Sequence, residues 1–316
     1  MKFSAGLPGV HRYPPSTEPW HLSLQPEQIQ QIARHADELG YHRLSVPEHI
    51  VMPKDLGQLM GGFWPHALTV MAFAAGATRR IRVCSSVIVV PYHHPVVMAK
   101  AVATLDHVSG GRVDFAIGVG HAEHEFEVLG LPFHERGAMT DEYLAAMIEL
   151  WTQAEPRFSG TYVAFDDIVF EPKPVQRPYP PILVGGNSKA ALRRAARIGD
   201  GWYPWLITPD QLPSYLDELR SMPEFDASKP FEIVMSVSNV KVGEDHVPVD
   251  SDDGRPDVIA DKQALVDAIG HLQEIGVTST SVPLPRSSTM EEYLEQVQWV
   301  AEEIMPLFPE PVPVTA

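Results

Sequence analysis

One feature constrains this chain more than any other. Short β-branched runs alternate with amphipathic stretches eight times over nearly its whole length of 316 residues. Residues 3–5 are a short strand candidate, and a helix over 26–39 follows, opened by Pro26 and stopped by Gly40. Its apolar positions Ile29, Ile32, Ala33, Ala36 and Leu39 step by three and four. Residues 43–47 read as the second strand, followed by a loop and a helix over 65–77. Residues 83–90 are the strongest strand, bounded by Pro91. A helix over 95–109 ends at Gly110 and Gly111, and 113–118 is the fourth strand. After an insertion around 120–135 come a helix over 135–153 and a hairpin in which 158–162 turns back through 168–170. Residues 182–184 form a strand with a helix to Ile198. A brief strand at 201–203, a helix over 208–221 and a long strand over 231–242 continue the rhythm. A polar loop at 243–260, a helix at 261–275, a strand at 277–282 and a helix near 289–305 close it.

Strands alternating with helices imply right-handed parallel crossovers. Eight such units without a composition break predict one α/β domain over 1–316, a (β/α)8 TIM barrel with an insertion after strand 4, a 158–180 hairpin and the 243–260 loop. The rival, an open Rossmann-like sheet with a second domain, needs an interruption that the sequence lacks.

Composition narrows the function. With 24 Lys+Arg against 41 Asp+Glu the chain carries a net charge of −17, which disfavours a nucleic-acid partner. No run reaches the ~18 apolar residues of a membrane helix, so no membrane partner is expected. The first residues have no apolar signal segment, and one cysteine, Cys84, excludes internal disulfides. A cytoplasmic protein is expected.

In a barrel, chemistry sits at the C-terminal ends of strands and the loops after them. Glu48 and His49 follow strand two, where a carboxylate could tune the imidazole for proton work; a structural histidine is the bland reading. Gly185, Gly186, Asn187 and Ser188 lead a strand into a helix, with Asn187 as N-cap candidate. Exposed N–H groups there suit a phosphate, and a simple capped turn explains the same residues. The run 118–123, GVGHAE, brings a backbone close to a ligand but is not a Rossmann fingerprint. The histidines around 121–124 and 93–94 have no metal-ligand spacing, so no metal is expected. Trp20, Trp64, Trp202 and Trp205 fall in loops or strand ends at the mouth, as packing residues or as an aromatic pocket. Cys84, in an apolar strand, reads as a buried thiol.

Three stretches form an ordered set: TLDHVSGGRVDFAIGVG over 104–120, PKPVQRPYPPILVGG over 172–186 and AALRRAARIGDGW over 190–202. With Glu125-Phe126, Gly130, Arg136 and Asp141 to Tyr143, they resemble the bacterial luciferase-like superfamily of flavin and deazaflavin oxidoreductases. The resemblance is clear over 1–205 and looser beyond. It implies a barrel that binds coenzyme F420, or alternatively FMN, at the C-terminal mouth. Cofactor contacts would fall at Ser85, Ser86 and Val87, where members carry a non-prolyl cis peptide. They would also fall at Gly120, His121, Ala122, Arg136, Gly185, Gly186, Asn187 and Ser188. His49, Glu123 and Glu48 would be the catalytic set, and Trp20, Trp64 and Trp205 the substrate pocket. His121-Ala122 replaces a threonine-glycine pair of the sugar-phosphate dehydrogenases, and no basic patch is present. A small apolar or neutral carbonyl, alcohol or alkene is therefore the expected substrate of an F420-dependent hydride transfer.

The alternatives are an FMN-dependent two-component monooxygenase of the alkanal or alkanesulfonate type and a non-catalytic cofactor-binding or dimer-partner subunit. A flavin or F420 reductase is the expected supplier of reduced cofactor. A homodimer is expected through a face of His66, Ala67, Val70, Met71, Ala74 and Ala75, although a core-facing stripe explains these residues too.

Overall fold

In the computed structural model, the described residues are 1–237 and 261–309, with the backbone of 241–242 and 248–249. Eight parallel strands follow one another around a barrel: β1 (Lys2–Ala5), β2 (Arg43–Val46), β3 (Arg82–Ser85), β4 (Val113–Gly118), β5 (Ile182–Gly185), β6 (Gly201–Tyr203), β7 (Glu232–Ile233) and β8 (Ser279–Ser281). Each pairs with its sequence neighbour, and β1 pairs with β8 in the register Lys2 to Ser279 and Phe3 to Thr280. The last seam is closed by a bridge from Val234 to Ser279, with Met235 and Val237 donating to Ser279 and Ser281. This is the (β/α)8 TIM barrel that the rhythm predicts.

Around it lie α1 (Pro26–Glu38), α2 (Lys54–Met60), α3 (Ala67–Ala77), α4 (Pro95–Ser109), α5 (Glu123–Leu129), α6 (Arg136–Thr152), α7 (Lys189–Ile198), α8 (Leu212–Arg220), α9 (Lys262–Glu274) and α10 (Met290–Glu303). Caps mark their limits. Pro26 and Pro95 open α1 and α4, and Gly110, at φ 70°, ends α4 in the left-handed region that glycine tolerates. Ser188, Asp261 and Thr289 accept from N–H groups in the first turns of α7, α9 and α10.

The interior is layered. At the N-terminal end Arg43, 1% exposed, pairs with Asp114 at 3.2 Å and with Glu232, which also meets Lys2 at 2.7 Å. Arg82 holds the other face of Asp114. Burial would raise the Asp114 carboxyl, but the two guanidinium groups hold it below the ordinary carboxylate range. Above this charged plug, Cys84, Ala116, Leu183 and Val234 form an apolar layer. Burial pushes the Cys84 thiol up to about 12, so it is a core side chain and no nucleophile.

Five expectations need correction. The third strand does not run unbroken through 83–90: β3 stops at Ser85, the Ser86–Val87 peptide is cis, and Ile88–Val89 pairs separately with β4. The long strand over 231–242 is the two-residue β7, while Lys241–Val242 pairs antiparallel with Pro248–Val249. The rest of the expected 243–260 loop lies outside the described residues. The 158–180 hairpin pairs Phe158–Ser159 with Ala164–Phe165, not with 168–170. The Glu142 carboxylate accepts from the N–H groups of Thr161, Tyr162 and Val163, which tightens the turn. Ala67, Met71, Ala74 and Ala75 of the expected dimer face are buried in the chain's own core. Finally, the stretch read as loop before α3 contains α2, a seven-residue helix with none of its residues buried, whose apolar step is confined to Leu56, Leu59 and Met60.

Replacing Arg43 by Ala leaves the buried Asp114 with Arg82 alone and the partly buried Glu232 with Lys2 alone, around a hole in the buried ion-pair network. The expected loss is about 3–5 kcal/mol of stability, read as a lower denaturant midpoint. Removing Arg193, whose 4.0 Å pair with Glu224 is on the surface, should cost no more than about 0.5 kcal/mol.

Candidate active site

The C-terminal mouth is assembled by the loops after β2, β3 and β4. β2 ends at Val46, and two residues later the chain delivers Glu48 and His49, both buried. After β4, Gly120 turns the chain at φ 83° with Phe126 and Val89 so close that a Cβ would lie 2.7 and 2.8 Å from them. Only glycine fits there, and the tight turn starts α5 directly under the loop after β2.

α5 buries two residues, Glu125 and Phe126. The Glu125 side chain is 0% exposed and gathers four donors. His49 Nδ1 lies 3.0 Å from Oε2, and the Tyr92 hydroxyl donates to the same oxygen at 2.8 Å. The N–H groups of Ile50 and Val51 donate to Oε1 at 2.6 and 3.1 Å. Burial by itself would raise this carboxyl, but the bonds from His49, Ile50, Tyr92 and Val51 outweigh it and hold it below its ordinary value. An ionised Glu125 accepts only, so His49 Nδ1 carries the proton and Nε2 is the nitrogen that exchanges one. The His49 ring stands edge-on to Trp64 at 4.9 Å and to His121 at 5.9 Å. Partial desolvation and then the neighbouring His49 lower the pKa of His121.

The other expected site residues fall as follows. Glu48 faces away from His49: its Oε2 accepts from Val89 N–H at 2.9 Å, and His93 Nε2 lies 3.0 and 3.1 Å from its two oxygens. Glu123, 56% exposed on the first turn of α5, is 3.9 Å from His134. Ser85 is fully buried and donates to the Ala116 carbonyl at 2.6 Å, and Ser86 N–H donates to Val46. Val87 fills the space that Gly118 and Gly185 leave open: a Cβ on either would approach its methyl groups to 2.8 and 3.2 Å. Ala122 is the N-cap position of α5.

Ser188, and not the expected Asn187, caps α7. Asn187 instead clamps two loops, accepting from Trp205 N–H at 2.8 Å and donating to the Trp205 carbonyl. Trp205 itself is 58% exposed. Trp20 donates to Ser287 and packs on Tyr293. Trp202 is fully buried and donates to Gly186, so it belongs to the core and not to the mouth.

An anionic cofactor with a flat ring fits what remains. Arg136 stacks on Phe133 and donates from Nη1 to its carbonyl, yet its Nε is buried without a hydrogen-bond partner. At Gly186, at φ 99°, a Cβ would meet only Ala191 at 3.5 Å, so the backbone is open beside the first N–H groups of α7.

The chain belongs to the luciferase-like monooxygenase family, whose model matches residues 1–245. It is 31% identical over 270 residues to an uncharacterized protein of Mycobacterium tuberculosis, covering 81% of this chain and 86% of that one. It is also 30% identical over 158 residues to the FMNH2-dependent dimethylsulfone monooxygenase of Pseudomonas putida, which is 49% of this chain and 43% of the relative. Among solved structures it is similar to the monooxygenase RslO1 of Streptomyces bottropensis (TM-score 0.77, 24% identity, 98% of this chain and 100% of the other). The coenzyme F420-dependent tetrahydromethanopterin reductase of Methanopyrus kandleri shares the fold at TM-score 0.73, 18% identity, 98% of this chain and 99% of the other. The proteins it is similar to thus include an FMNH2-dependent and an F420-dependent enzyme.

Sequence reasoning passed over Glu125 and Tyr92 as site residues. No local signal singles out Glu125, because at 3.6 residues per turn the buried Phe126 lies nearer to Glu123 around the helix than to Glu125.

Glu125→Gln should cost about 2–3 kcal/mol by denaturant unfolding, whereas Glu123→Gln should change stability by less than about 0.5 kcal/mol. The folded Glu125 carboxyl lies below its unfolded value of about 4.3, so its stabilisation is complete above that pH and drains away as pH falls through the folded value. Stability measured from pH 6 downward in the Gln variant should show a flatter acid limb.

Proposed function

We propose that this protein is an F420-dependent oxidoreductase that moves a hydride between the deazaflavin and a small apolar or neutral carbonyl, alcohol or alkene. The observation that carries this reading is the buried Glu125–His49 pair, 3.0 Å apart at the mouth of the barrel. When bound, the deazaflavin would supply a two-electron hydride donor or acceptor and no more. A carbonyl that gains a hydride at carbon must gain a proton at oxygen, and an alcohol that loses one must release it. That proton is the protein's task. His49, with Nδ1 held by Glu125, gives or takes it at Nε2. Trp64 at the side of His49, with Trp20 and Trp205 elsewhere on the rim, would shed water from an apolar substrate. Arg136 Nε and the opening of α7 at Gly186 and Ser188 would hold the cofactor's phosphate side, and Val87 would lie under its ring.

A second reading is favoured by one observation, the similarity of half the chain to the dimethylsulfone monooxygenase: an FMN-dependent two-component monooxygenase supplied by a flavin reductase. The proposal also includes a cytoplasmic homodimer. Val97 and Val108, each 67% exposed and three turns apart on α4, support a partner there, and light scattering reads the mass directly.

Titration of the purified protein with F420 and with FMN, each oxidised and reduced and followed by fluorescence, tests the reading. Micromolar F420 binding with FMN at least tenfold weaker is expected. His49→Ala should keep that binding and lose about 10²–10⁴-fold in turnover. Preference for reduced FMN would replace this reading by the monooxygenase, and binding of neither would remove both.

A further inference from the structure

Glu48, His66 and His93 belong to three different segments. Glu48 follows β2, His66 sits at the N-terminus of α3, and His93 lies after the single turn Val90–Tyr92 that precedes α4. The barrel brings them together: one carboxylate oxygen and one ring nitrogen from each histidine all lie within 4.8 Å of one another. The two imidazole rings stand edge to face with centroids 6.1 Å apart. No local spacing announces this group, because its members are 18 and 27 residues apart.

We propose that these three side chains form a binding site for a divalent transition metal of the zinc class. Two imidazoles and a carboxylate are the donor set that suits such an ion, whereas calcium and magnesium favour oxygen throughout. In a tetrahedral site with bonds of about 2.0–2.1 Å, donor atoms stand about 3.4 Å apart. Glu48 and His93 already stand 3.0 Å apart. His66 is exposed and completes the set with a side-chain adjustment that nothing in the core opposes. Its exposure leaves the fourth position to water.

The surroundings match the needs of such a site. Glu48 is 0% exposed at the side chain, and its Oε2 is held at 2.9 Å by Val89 N–H, which orients the carboxylate. Thr69 Oγ1 lies 3.2 Å from His66 Nδ1; with Nδ1 as the protonated nitrogen, Nε2 keeps its lone pair for the ion. Outer partners of this kind orient the ligands of bound metals. Glu48 precedes His49, and Trp64 is two residues from His66. An ion here would fasten both ends of the loop after β2, which carries two walls of the mouth. The site would thus brace the active site without touching the reacting atoms, and it stands independently of which cofactor the barrel uses.

The test is metal binding to the chelator-stripped, refiltered protein, with Co²⁺ followed by its visible absorption and Zn²⁺ by competition with a chromogenic chelator. One ion per chain is expected, with the intense bands of four-coordinate Co²⁺. His66→Ala and His93→Ala should each weaken binding by at least about 100-fold, and Thr69→Ala by about 10-fold. His134→Ala, 88% exposed and outside the group, should leave it unchanged. His66 is a surface residue, so its variant should keep the wild-type circular dichroism, and the test does not depend on substituting the buried Glu48. Absence of stoichiometric binding, or binding equal to wild type in both histidine variants, would overturn the site.

Discussion

A single buried carboxylate organises the mouth of this barrel. Glu125 has been taken out of water, which by itself favours the neutral acid, and four donors from two segments reverse that preference. Two are backbone groups of the loop after β2, one is the hydroxyl of Tyr92 at the approach to α4, and one is the imidazole of His49. The charge survives only because all of these donors converge on it, and the converse holds too. The loop after β2 has its place because its N–H groups must meet that charge. His49 has one tautomer for the same reason, and Trp64 and His121 pack against a ring that is already set.

The rest of the barrel supports this division of labour. Within the strands themselves charge lies at the N-terminal end, where Arg43 and Arg82 neutralise Asp114, and Arg43 and Lys2 neutralise Glu232. A small apolar layer follows, and then Val87 under the glycines of β4 and β5. Reactive groups collect where the strands end, as they do in barrels generally.

Much of this was legible in the residues themselves. The 3.6-residue stripe of α1, the proline and glycine limits of α4 and the run from β5 into α7 all have local physical causes, so they could be read locally. What could not be read depended on contacts between distant segments. Glu123 and Glu125 lie on one seven-residue helix and differ in sequence by nothing but position; Phe126 is nearer to Glu123 around the helix, and only the donors brought by the loop after β2 and by Tyr92 show which of them turns inward. α3 is apolar nearly all round, so its pattern could not say which side meets the core and which a partner. Asn187 has the chemistry of an N-cap, but the loop after β6 brings the Trp205 backbone to it, and Ser188 takes the cap. Glu48 looked like a companion to His49 because the two are adjacent. Adjacent residues at a strand end point in different directions, and Glu48 meets His93 instead.

The account rests on Glu125 fixing the proton of His49 at Nδ1, and nitrogen NMR of ¹⁵N-histidine-labelled protein reads that directly. Near neutral pH the His49 ring is expected to show a protonated Nδ1 and a lone-pair Nε2, a pattern that disappears in Glu125→Gln. A neutral His49 protonated at Nε2, or a tautomer unchanged by the substitution, would contradict it.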